Sequence, residues 1–244
     1  MENSFSLQDK CILVTGASSG IGREAALSVS KAGGSLILTG RDALRLEQTY
    51  TSLNPGNHIS KALDLTNAEQ LEAFADSLPE LDGIVLSAGI TGHLPAKYIG
   101  KDDYESFFNI NYLAPVLLIS RILKKKKLRN KASIVFLSSI ATKYPYFGGA
   151  LYSSTKAALE AYSRVLALEL APKGIRSNCI SPSFVKTPMV DGAAETISTE
   201  VMDKFEKMMP LGFGEPLDVA NAIVFMLSDA SRWVTGSNMV LGGN

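Results

Sequence analysis

Seven short runs rich in apolar and β-branched residues recur along this chain, separated by longer segments whose apolar residues fall at helical spacing. The runs are Cys11–Thr15, Ser35–Thr39, Ile59–Leu63, Gly83–Ser87, Ser133–Leu137, Ser177–Ile180 and Asn238–Leu241. The helical segments are Arg23–Ala32, Leu44–Leu53, Ala68–Leu78, Tyr104–Lys127, Leu151–Leu170 and Leu217–Leu227. Two strands separated by a helix-length segment need a crossover connection, and repeated crossovers produce a parallel sheet covered by helices on both faces. The expected fold is therefore α/β, a doubly wound parallel sheet of about seven strands. No linker, repeat or low-complexity stretch divides it, so residues 1–244 read as one domain. Pro188–Pro210, Met- and charge-rich between two prolines, reads as a lid within that domain.

Charge narrows the partners. Lys plus Arg and Asp plus Glu each number 24, which leaves no net field to draw the chain onto nucleic acid. The first residues are polar and carry no secretory pattern, and no apolar run reads as long enough to cross a bilayer. The expected location is the cytoplasm, with no membrane partner. Cys11 and Cys179 lie in separate apolar runs and read as reduced core residues. His58 and His93 have no second ligand at metal spacing, so no metal site is expected.

The first run leads into Thr15-Gly16-Ala17-Ser18-Ser19-Gly20-Ile21-Gly22, after which helical spacing begins. Glycines there permit a tight turn and let backbone N–H groups approach a diphosphate at a helix N-terminus. A bare strand-to-helix turn would use the same glycines. Farther on, Tyr152-Ser153-Ser154-Thr155-Lys156 places a phenol and an ammonium on one helical face. A nearby cation favours the phenolate and so brings a tyrosine, with its ordinary pKa of about 10, toward useful acid–base chemistry.

With these motifs in place, and with Ser139 thirteen positions before Tyr152, the chain resembles the short-chain dehydrogenase/reductase family over essentially its whole length. The resemblance implies a Rossmann-type domain and an oxidoreductase that interconverts a carbonyl and a secondary alcohol. It implies Asn111, Ser139, Tyr152 and Lys156 as the catalytic set. It implies cofactor contacts from Gly16, Ser18, Ser19, Gly20, Ile21 and Gly22, from Asp64 and Leu65 near adenine, and from Ala88 and Gly89 after the fourth run. Val185 and Thr187 are implied beside the nicotinamide, and Tyr152 and Lys156 near its ribose. The general look is nearest to 3-oxoacyl-ACP reductases, and a homotetramer built on the segments containing Leu117, Leu118, Leu159, Val165 and Leu168 is expected. Two departures stand out. Ser87-Ala88-Gly89 replaces the usual Asn-Ala-Gly, and Pro182-Ser183 replaces Pro-Gly, which puts a side chain near the expected nicotinamide position.

The end of the second run reads Leu38-Thr39-Gly40-Arg41. No acid stands at position 40 to accept from ribose hydroxyls, whereas Arg41 offers a planar cation suited to a 2′-phosphate and Ser18 a hydroxyl. NADP(H) is expected over NAD(H). Lys124 to Lys127, with Arg129 and Lys131, complement a helix C-terminus; an acidic carrier dock is the functional alternative. The substrate is expected to be a small carbonyl or alcohol, free or carrier-bound. Sugar, polyol and hydroxysteroid substrates stay open, and so does a non-catalytic NADP(H) sensor.

Overall fold

A computed structural model describes residues 4–189 and 209–243, so most of the expected lid, residues 190–208, lies outside the described residues. Strands β1 (Cys11–Thr15), β2 (Ser35–Gly40), β3 (Ile59–Ala62), β4 (Leu81–Leu86), β5 (Leu128–Leu137), β6 (Arg176–Pro182) and β7 (Asn238–Leu241) form one parallel sheet in the order β3-β2-β1-β4-β5-β6-β7. The doubly wound α/β expectation holds.

Alternation along the central strands builds the core on both faces. Leu13, Ile37, Ile84, Ile134 and Phe136 face one layer with α3 (Ala68–Ser77), α5 (Ala114–Lys124) and α6 (Ala150–Leu170). Ile12, Val14, Leu36, Leu38, Val85 and Val135 face the other, with α1 (Gly20–Lys31), α2 (Ala43–Thr51) and α7 (Pro216–Leu227). Side-chain caps start two of these helices: Asp42 accepts from the Arg45 N–H and Asn67 from the Gln70 N–H.

The segment expected as one helix over Tyr104–Lys127 is three pieces: α4 (Lys101–Phe108), a π-helical turn at Asn109–Leu113, and α5. Pro115 explains the break, because it brings no N–H to the carbonyl of Asn111 four residues earlier. The turn is held from outside by Asn111, whose amide accepts from Ile90 N–H at 2.8 Å and donates to Ile90 O at 3.0 Å. Taken together, Lys101–Lys124 is long and apolar enough to cross a bilayer, which corrects the expectation that no such run exists. Its Leu118, Ile119 and Ile122 are buried in the core against the sheet, as in a core helix of a globular protein.

The basic run also has partners. Lys125 pairs with Glu72 at 2.9 Å and with Asp76, and Arg129 reaches Asp82 at 3.1 Å, so these cations tie the ends of α5 and β5 to α3 and the start of β4.

Between β1 and α1 the chain turns so tightly that a Cβ on Gly22 would sit 2.3 Å from the carbonyl oxygen of Gly16. That neighbour is backbone and has little room to retreat. Gly22→Ala should cost about 1–3 kcal/mol of stability, read as a lower urea midpoint; an unchanged midpoint would show that the turn can open without penalty.

Candidate active site

Strand order reverses between β1 and β4, and the crevice beyond the C-terminal ends of these strands is where a doubly wound sheet accepts ligands. Thr15 braces this crevice. Its Oγ1 accepts the N–H groups of Ser87 and Ala88 at 3.1 and 3.2 Å, which ties the end of β1 to the segment after β4. Gly16 (φ 68°) brings the turn so close to β4 that a Cβ there would lie 2.8 Å from Ala88 N.

One cleft runs from this turn to α6. Gly16, Ser18, Ser19, Gly20 and Ile21 line its floor. Gly40, Arg41, Asp42, Arg45, Leu63 and Leu65 line one end. Ala88, Gly89, Leu137, Ser138, Tyr152, Lys156, Thr187, Pro188 and Met189 line the other. These residues fit a dinucleotide. Ser19 begins α1 without a side-chain cap, leaving first-turn N–H groups to meet an anion, and the glycine floor leaves space for its phosphates. At the far end a Cβ on Gly40 would come within 3.1 Å of Ser18 Oγ, so an acidic side chain there would crowd the glycine loop.

Not every expected contact faces the cleft. Gly22 packs beneath the turn. Asp64 Oδ1 accepts from the N–H of Thr66 at 2.9 Å and from its hydroxyl at 2.8 Å, so this carboxylate holds a turn while Leu65 provides the wall. The Thr66 N–H, with Arg41 adding a smaller effect, keeps that carboxyl below its ordinary range. Val185 bridges to Gly214 and is buried. Ser183, expected near the nicotinamide, places its Oγ 2.9 Å from the Met209 sulfur, and its Cβ packs toward Gly242. Sequence reasoning missed Arg45. The signal was its spacing after Arg41 and Asp42, since Asp42 both caps α2 and pairs with Arg45 Nε at 2.6 Å.

The reactive end is organised by α6. Lys156 is buried and its Nζ donates to the carbonyl of Leu137, the last residue of β5, at 2.8 Å. Tyr152 lies one turn earlier, its ring centroid 5.7 Å from that Nζ. Ser139 begins the short 3₁₀ turn Ile140–Thr142, where its Oγ accepts the Ala141 N–H, and its hydroxyl is near enough to the Tyr152 phenol to lower the phenol's pKa. Asn111 is fully buried behind them and donates to Thr155 Oγ1 at 3.2 Å, so the π-helical turn is keyed to α6.

Electrostatics here differ from the sequence expectation. Burial pushes the Tyr152 phenol up to about 12, against a smaller lowering by Ser139. The same burial pulls Lys156 down to about 8. Desolvation thus outweighs the expected effect of the ammonium on the phenol in the protein alone. A phenol that keeps its proton at neutral pH, beside a hydroxyl donor and a poorly solvated ammonium, is suited to protonating an oxygen as negative charge develops on it.

Comparisons with known proteins agree with this arrangement. A family model described as enoyl-(acyl carrier protein) reductase matches residues 16–243. The chain is 32% identical over 238 residues to the 3-oxoacyl-[acyl-carrier-protein] reductase of Rickettsia felis, covering 97% of each chain. It is 33% identical over 246 residues to D-erythrulose reductase of Gallus gallus, covering 100% of this chain and 98% of that one. A Beutenbergia cavernae protein assigned provisionally as an NAD(P)-dependent gluconate 5-dehydrogenase, solved with NADP at low occupancy, superposes with a TM-score of 0.89 at 25% identity, covering 98% of this chain and 97% of that one. The chain belongs to the short-chain dehydrogenase/reductase family of oxidoreductases, which bind a nicotinamide cofactor and act on carbonyl and alcohol groups.

Proposed function

We propose that this protein is an NADP(H)-dependent reductase that converts a ketone to a secondary alcohol. The observation that carries the reading is the meeting of Tyr152 and Lys156 at one end of a cleft whose other end presents Arg41, with the Ser139 hydroxyl acting on the Tyr152 phenol. When bound, NADPH supplies the hydride. Tyr152 holds a proton at its phenol oxygen for the substrate oxygen. Ser139 donates a hydrogen bond to that oxygen as its charge grows. Lys156 orients ribose hydroxyls and favours loss of the phenolic proton; Asn111 holds the strand-to-helix junction behind it. Arg41 and Ser18 would receive the 2′-phosphate, with Arg45 next to them. A 3-oxoacyl thioester is the leading substrate class because of the Rickettsia felis relative, and the Gallus gallus relative makes a small sugar the comparison substrate.

Purified protein with NADPH, tested on 3-oxoacyl thioesters, enoyl thioesters, ketoses and ketosteroids, addresses the reading directly. Ketone reduction supports it; NADPH binding without turnover of any class supports the cofactor sensor instead. On the substrate found, Tyr152→Phe should lower kcat by roughly a hundredfold or more while leaving NADPH affinity nearly unchanged. Near-normal turnover would remove Tyr152 as the proton donor.

Cofactor choice has its own test. Arg41→Asp should weaken NADPH binding and spare or improve NADH binding in a fluorescence titration, because it exchanges a phosphate-pairing cation for an acid. Equal affinities before and after substitution would contradict the NADP(H) reading.

The pH profile follows from Lys156. An amine lowered to about 8 is charged below that pH and neutral above it. Reductive kcat/KM should therefore fall as pH rises through about 8, while Tyr152, pushed up to about 12, stays protonated. A flat profile to pH 10 would show that the charge on Lys156 is not required.

Assembly rests on fewer residues than the sequence suggested. Leu118 and Leu159 belong to the core, and Leu117 is packed against it, whereas Val165 and Leu168 on α6 are 50% and 78% exposed. A homotetramer that buries this α6 face is proposed, and Leu168→Glu should reduce the mass measured by light scattering. A parent that is monomeric at micromolar concentration would exclude it.

A further inference from the structure

Glu160 stands one helical turn beyond Lys156 on α6 and has no part in the chemistry assigned above. Its Oε1 accepts hydrogen bonds from Ser138 Oγ at 2.7 Å, Thr142 Oγ1 at 2.9 Å and Ser181 Oγ at 3.4 Å. These hydroxyls come from the residue following β5, the 3₁₀ turn and β6. Ser138 and Ser181 are buried. A carboxylate drawn into such surroundings is costly unless its oxygens are hydrogen-bonded, and bonds to an ionised acceptor are shorter and stronger than neutral ones.

Two of the three donors bracket Ser139. Ser138 precedes it, and Thr142 ends the turn that Ser139 begins. Thr142 Oγ1 also lies 3.1 Å from the Ser139 carbonyl, while Ser139 Oγ accepts the Ala141 N–H at 3.2 Å. The backbone on both sides of Ser139 is therefore tied to one oxygen atom on the helix that carries Tyr152 and Lys156. If that tie is lost, the exit from β5 can rotate and the Ser139 hydroxyl can leave the phenol and the substrate oxygen.

From this geometry we infer that Glu160 is a positioning residue, which holds the Ser139 hydroxyl in line with Tyr152 through Ser138 and Thr142. The inference deepens the proposed reduction and rests on it. It places the main effect of Glu160 on turnover, because Glu160 does not itself line the cleft and reaches it only through Ser138.

The test is a double-mutant cycle between Glu160→Ala and Ser139→Ala, with kcat, KM, NADPH affinity and thermal midpoint measured for each protein. Glu160→Ala alone should lower kcat on the order of tenfold or more, with NADPH affinity held within about twofold. In the Ser139→Ala background the same change should cost less than about threefold, since its target is gone. Glu160→Gln, which keeps the shape and an acceptor oxygen, should recover most of the turnover. Should Glu160→Ala not fold, Thr142→Val and Ser138→Ala each remove one donor and take its place in the cycle. Additive losses in an active parent, or a loss of NADPH affinity as large as the loss of kcat, would overturn the inference and leave the proposed reduction standing. A parent that binds NADPH but reduces no carbonyl would overturn both.

Discussion

The site depends on one buried ammonium. Lys156 is almost wholly withdrawn from solvent, and its Nζ is held by the last carbonyl of β5. This contact joins a 21-residue helix to the middle of the sheet. The other polar groups of the site on α6 lie within a turn of it. Tyr152 precedes it by a turn, Thr155 reaches Asn111, and Glu160 gathers the hydroxyls at the ends of β5 and β6. The same burial drives the lysine and the tyrosine toward their neutral forms, to about 8 and about 12. An ammonium stripped of water interacts more strongly with whatever hydroxyl or anion comes beside it, because the low local dielectric screens less.

The opposite wall follows from the reversal of strand order. The Gly16 turn can approach β4 only without a side chain, and Thr15 ties the two strand ends together at that point. The cleft consequently reaches from Arg41 and Arg45 beside the second strand to Tyr152 on α6. A cofactor lying along it would have its phosphates over the N-terminus of α1 and its reactive ring near the phenol, so the sheet topology determines which residues meet.

Much of this was legible in the sequence, for identifiable reasons. Central strands such as β1 and β2 are buried on both faces and read as unbroken apolar runs, and the Tyr152–Lys156 spacing is a local helical property. The π-helical turn was not legible, because Asn111 is held by Ile90, 21 residues away, and the missing N–H of Pro115 could equally have kinked a plain helix. Nor could spacing tell that Leu118 and Leu159 face the core while Leu168 faces outward. The pKa expectation for Tyr152 failed for a related reason: spacing shows that a cation is near but not how deeply both groups are buried. Glu160 carries no signal in the sequence, since its three donors come from elements that only the tertiary fold brings together.

The most direct measurement of the central claim uses NADPH carrying deuterium at both hydrogen positions of nicotinamide C4, in ordinary water, with the ketone substrate that the panel identifies. Mass spectrometry of the product alcohol should find deuterium on the carbinol carbon, with a slowed rate from the labelled cofactor and solvent hydrogen only on the oxygen, the position assigned to proton delivery by Tyr152 in the proposed reduction. An alcohol without deuterium at that carbon, or NADPH oxidised without ketone being reduced, would contradict direct transfer of hydride within this cleft.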